Sequence, residues 1–280
     1  MGWTVLIHAV VVLGVGAVCP LALGRTRDWY PAAIAVGISF VLPVGPLAAV
    51  PASVWFVVAA GTLATAVSRA RPRLVARPEP TALVVRLGPP AFSVVAALAL
   101  VASRAGTSPF GIAEPIVELT AVHFTYAGVG ALTLAGLAGS PASRSHPVTV
   151  WLTASAPPVV ALGFLTHHPL PQLGGAALMS VGVLAIAGLQ LREALTAHPP
   201  RRTLLAVSGL APWVPMALAV TWAASLYWSV PALSIPDMAR THGMLNVVFI
   251  VAGLLARRPL LGAAPSEPGT TTPHPEAVPR

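Results

Sequence analysis

Charge in this chain is confined to the ends of long apolar runs, and that pattern restricts what the chain can become. Nine stretches, at roughly 3–23, 30–49, 51–68, 83–103, 114–139, 148–166, 171–190, 203–228 and 237–256, are each near the ~20 residues an α-helix needs to cross a bilayer. Only 9% of the 280 residues are charged and 56% are hydrophobic, whereas about a quarter of a soluble domain is charged. Lipid is therefore the expected solvent, and there a spanning backbone must satisfy its own hydrogen bonds, which helices do. The sequence predicts an all-α polytopic transmembrane bundle of about nine spans over 1–258. A Pro-, Ser- and Thr-rich tail over 259–280 is expected to be disordered and cytoplasmic. The second and third spans are expected to meet in a tight turn at Val50–Pro51.

Arginine gives the orientation. Odd-numbered loops and the C-terminus hold thirteen arginines, and Arg86, able to snorkel back from the fourth span, makes fourteen; the even-numbered loops hold only Arg104 and Arg240. By the positive-inside rule the N-terminus is expected outside and the C-terminus inside, in the plasma membrane. The first span lacks a basic leading region, and Arg25 and Arg27 follow it, so it reads as a span and not as a cleaved signal.

The same arrangement accounts for the net charge of +8. The basic residues, all arginine, sit in short loops where they orient the protein and touch lipid headgroups, so nucleic acid is not an expected partner. The lone cysteine, Cys19, excludes an internal disulfide framework and any multi-cysteine metal site. No nucleophile elbow, P-loop or dinucleotide fingerprint is present, which argues against soluble-type catalysis.

Trp3, Trp55, Tyr227 and Trp228 fall at the expected outer interface and Trp29, Tyr30 and Trp151 at the inner one, where amphipathic rings anchor. Trp213 and Trp222 lie deeper and read as packing residues. Pro43 with Pro46, Pro157 with Pro158, and Pro212 with Pro215 interrupt spans by removing backbone donors.

Ionisable groups inside spans are expensive and point to function. At 1.5 Å per residue, Glu118 and His123 lie about 6 and 13 Å below Glu114, and His242 and Asn246 about 7 and 13 Å below Asp237. His8 has a similar depth in the first span. On a helical wheel His123 is about 140° from Glu118 and lies with Thr120 and Tyr126, while His242 and Asn246, four apart, share a face. The pairing expected across helices is His123 with the His242/Asn246 face, which requires the fifth and ninth spans to be neighbours. Three readings are open. His123 and His242 could ligate a metal or haem iron, with Glu118, Tyr126 or Asn246 supporting, since imidazole suits Zn, Cu and Fe. Glu118, His123 and His242 could form a path for protons or a small solute. Or these groups only join helices. His146, His198 and His274 are expected to be solvated.

The segments Leu119-Thr120-Ala121-Val122-His123-Phe124-Thr125-Tyr126-Ala127-Gly128 and Ala239-Arg240-Thr241-His242-Gly243-Met244-Leu245-Asn246 resemble the YndJ-like family of bacterial multi-pass membrane proteins. That family carries a similar LTAVHFHYAG-like segment and a later HGxxNAxGF-like one, in the same order. The resemblance runs from about Glu114 to Arg258. It implies an integral membrane protein and marks His123, Tyr126, Gly128, His242, Gly243 and Asn246, without supplying a substrate. Thr125 departs from it, standing where a second histidine would make His-x-His.

Overall fold

The structure is a computed structural model describing residues 2–24, 26–75, 79–139 and 143–258. The expected tail over 259–280 lies outside the described residues. Among these residues there is no strand. The helices are α1 (Trp3–Leu23), α2 (Thr26–Val41), α3 (Pro46–Val75), α4 (Pro80–Arg104), α5 (Ile116–Leu137), α6 (Ser145–Leu165), α7 (Pro169–Ala194), α8 (Arg201–Ser225) and α9 (Ile235–Ala256). Among the described residues eight helices, all but α2, are long and apolar enough to cross a membrane. At 16 residues, α2 is the short one.

The turn between α2 and α3 is at 42–45 and not at Val50–Pro51, which lies inside α3. Composition cannot separate one proline from another in this run, but turn chemistry can. Gly45 takes φ +148°, which a side chain would oppose, and Pro46 stands at the first helical position, where its missing N–H would have no partner anyway. The Gly45 N–H donates to the Arg104 carbonyl at 2.8 Å, tying this turn to the end of α4. The other proline pairs divide. Pro157 and Pro158 stay inside α6, whereas Pro212 marks the break that splits α8 into Arg201–Leu210 and Trp213–Ser225.

The centre of the bundle is α5, with 67% of its most apolar window buried against 28–44% for the other spanning helices. Against it pack α1 and α9, so the fifth and ninth spans are neighbours. Gly130 of α5 makes that approach: a Cβ there would stand 2.4 Å from Ile250 Cγ2 of α9. On the α1 side the Tyr126 hydroxyl donates to the Val10 carbonyl at 3.0 Å. All three central helices widen into π turns, at Gly14–Val18, Phe124–Ala131 and Ala239–Gly243. Deeper along α1, Cys19 is fully buried with Sγ 4.0 Å from Ser93 Oγ.

Two aromatic anchors are not at an interface. Trp29 and Trp55 are fully buried between helices, and the Trp29 indole N–H closes onto the Gly24 carbonyl at 3.0 Å. Trp213, expected inside, faces outward instead, because the break at Pro212 starts a new helix there. Tyr30, Trp151, Tyr227 and Trp228 are exposed. His146, expected in solvent, is buried with Nδ1 3.3 Å from the Ala138 carbonyl, since α6 begins one residue before it.

Candidate functional site

The first polar cluster gathers where α1, α2, α4 and α5 meet. Glu114 precedes α5 and accepts the Glu118 N–H at 3.2 Å, satisfying one of the donors that a helix start leaves open. Glu118 sits in the first turn, where the helix dipole favours a carboxylate. Its Oε1 is sealed from solvent and lies 3.2 Å from His8 Nε2, yet the alignment is too poor for a hydrogen bond. His8 stacks on Phe40, ring centroids 3.9 Å apart and 12° from parallel. The Arg104 guanidinium lies 5.4 Å from the same ring and donates to the Leu42 carbonyl at 2.9 Å. Arg104 and Glu118 are both buried, so opposite charges share this cluster without touching.

The second cluster lies between α5, α8 and α9. His242 Nδ1 is 2.8 Å from the Pro215 carbonyl, an acceptor only, which places the proton on Nδ1 and leaves a lone pair on Nε2. One Asn246 amide proton reaches that lone pair at 3.2 Å and the other reaches the His242 carbonyl at 2.8 Å. His242 is thereby fixed in tautomer and orientation. His123 is close enough to interact electrostatically with His242, but its own Nε2 has neither accessible surface nor a hydrogen-bond partner. Leaving such a group unpaired costs roughly 1–3 kcal/mol.

The expected site residues thus divide. His242 and Asn246 are bonded to each other, and His123 lies within electrostatic range of His242. Glu118 is engaged instead with His8, and Tyr126 pins α5 to α1. The wedged position of α5 is what lets Glu118 and His123, on different faces, both meet protein. Among the described residues no three His, Cys, Asp or Glu side chains are grouped so as to hold a metal ion. Asp237 and Arg240 form an ion pair at 3.2 Å, and Ser234 caps that helix start by accepting the Asp237 N–H at 3.3 Å.

A third polar cluster was not expected from the sequence. Gln190 of α7 is fully buried, its Oε1 2.7 Å from Ser208 Oγ, which is also 2.6 Å from the Phe249 carbonyl. One turn further along α7, Glu193 accepts from Arg257 at 2.6 Å and from Arg201. Arg257, 2% exposed just past α9, also donates to the Leu137 carbonyl at 2.8 Å. Burial draws its guanidinium below the ordinary value and Glu193 opposes that shift. These bonds join the ends of α5, α7, α8 and α9. The available signal was Gln190 itself, a hydrogen-bonding side chain alone in an apolar run with Glu193 three residues on.

The model of the YndJ-like protein family matches residues 9–250, far more than half of the chain. No curated protein and no solved structure matches. The chain belongs to the YndJ-like family.

Proposed function

We propose that this YndJ-like membrane protein binds a metal ion or a small polar ligand between α5 and α9, with His123 and His242 as the contacting groups. The observation that carries this reading is the partnerless, sealed Nε2 of His123 within electrostatic range of an imidazole already held by Pro215 and Asn246. A carbonyl-bound Nδ1–H is the usual arrangement for an imidazole that offers Nε2 to a metal. Displacing the Asn246 amide proton would free that lone pair. Two histidines leave a metal's remaining positions to water or the ligand itself. The arginine distribution supports a position for this site in the outer half of the membrane.

Absorption spectra and elemental analysis of detergent-purified protein test the reading, wild type against His123→Ala and the His123→Ala/His242→Ala pair. Stoichiometric Zn, Cu or Fe that disappears in the variants supports a metal. Unchanged metal content together with unchanged stability and unchanged ligand-induced thermal shifts would sink the proposal.

A second reading, proton-coupled or small-solute transport, is favoured by the contact of Glu118 with His8 and by Glu114 one turn nearer the helix start. It predicts flux in proteoliposomes that is lost in Glu118→Gln; no flux over a broad solute panel counts against it.

A further inference from the structure

The short helix α2 leaves a step in the bundle. Sixteen residues span about 24 Å, less than the ~30 Å hydrocarbon core, whereas the 30 residues of α3 span about 45 Å. The later half of α3 therefore runs past the start of α2. A space of about 400 Å³ opens there between α3 and Val94 of α4. Its α3 wall recurs at 60, 63, 64, 67, 68 and 71, the spacing of one helix face. That face changes character along its length. Leu63, Ala64 and Val67 are apolar, then Ser68 and Arg71 close the far end. Arg71 is exposed and, among the described residues, makes no ion pair or hydrogen bond.

An occupant matching this gradient has a hydrocarbon chain and an anionic end. We propose that the step beneath α2 binds an anionic phospholipid, one acyl chain against Leu63, Val67 and Val94 and the phosphate on Arg71. Charge complementarity at one end and apolar lining along the rest carry the assignment. A groove for a partner helix would not need the cation, and a free-phosphate site would not need the apolar wall. This site is independent of the histidine site.

The test uses full-length protein in neutral detergent, titrated with phosphatidylglycerol or phosphatidylcholine of identical acyl chains and read by native mass spectrometry. A single interfacial arginine predicts about fivefold tighter binding of phosphatidylglycerol. Arg71→Gln should bring the two lipids level. Arg69→Gln, about 160° away around α3, should leave the preference intact. Ala64→Phe, which fills the groove, should weaken both lipids, and inorganic phosphate should not compete. Equal binding of both lipids to the wild type overturns the proposal, as does a preference surviving Arg71→Gln or lost equally in Arg69→Gln. Competition by inorganic phosphate overturns it too, as evidence of a phosphate site.

Discussion

Replacing Glu193 by Gln isolates what the Arg257 contact contributes. The substitution keeps size and one acceptor but removes the negative charge facing a guanidinium that is 2% exposed. Breaking a fully buried ion pair from one side costs about 3–5 kcal/mol, because the remaining charge stays uncompensated. The Glu193 side chain is 29% exposed, so water screens part of this and about 2–3 kcal/mol is expected. Arg201, the second partner, has a side chain 42% exposed, and Arg201→Gln should cost less than about 1 kcal/mol. The Arg257→Gln change also gives up the Leu137 carbonyl, so it should cost at least as much as Glu193→Gln. The double variant Glu193→Gln/Arg257→Gln should lose about 2 kcal/mol less than the two singles added, since the second change removes the charge the first left stranded. Thermal unfolding in mild detergent reads this as a drop of about 4–8 °C for Glu193→Gln. Additive singles, or a larger loss for Arg201→Gln than for Glu193→Gln, would refute the reasoning by showing that Arg257 does not depend on Glu193.

Gly130→Ala should destabilise the bundle by about 1–3 kcal/mol through overpacking against Ile250, and Ile250→Ala in the same chain should recover much of it; thermal unfolding of both checks this. Tyr126→Phe deletes the bond to the Val10 carbonyl and leaves that acceptor buried, for a loss of about 1 kcal/mol with no change in metal or ligand binding at His123, measured on the same samples. Hydrogen bonds from Thr81, then Ala82, with a smaller pull from His146, hold the Glu79 carboxyl below its ordinary value of 4.5. Because the folded-state value is the depressed one, the α4 cap is present above pH about 4.5 and lost as pH falls through the lower folded value. Amide exchange at Thr81 and Ala82 should accelerate there in the wild type and already at neutral pH in Glu79→Ala.

Class was legible because lipid leaves so few options: an apolar run of this length, with arginines at its ends, has to be a span. The α2–α3 turn was not, because Pro43, Pro46 and Pro51 look alike until Gly45 declares its backbone conformation and Arg104 its bond to it. His242 with Asn246 was readable from a four-residue spacing. The company of Glu118 was not: periodicity describes one helix at a time, and His8 and Arg104 arrive from two others. Gln190, Glu193 and Arg257 were hidden by the same limit, and by the habit of treating an arginine beside a span as solvated. Trp29 and Trp55 stand where membrane anchors stand in the sequence, but a ring near a span's end can turn toward a neighbour as readily as toward lipid headgroups.

Cys19 changes how the molecule can be handled. It is the chain's sole thiol, and it is sealed against Ser93 in the packed centre. A sealed sulfur offers maleimides no approach. The native sequence therefore serves as its own unreactive background. A cysteine placed at Ser143 or at Thr107 reports alone, and its labelling from one side of an intact membrane shows which face of the bundle meets the cytoplasm.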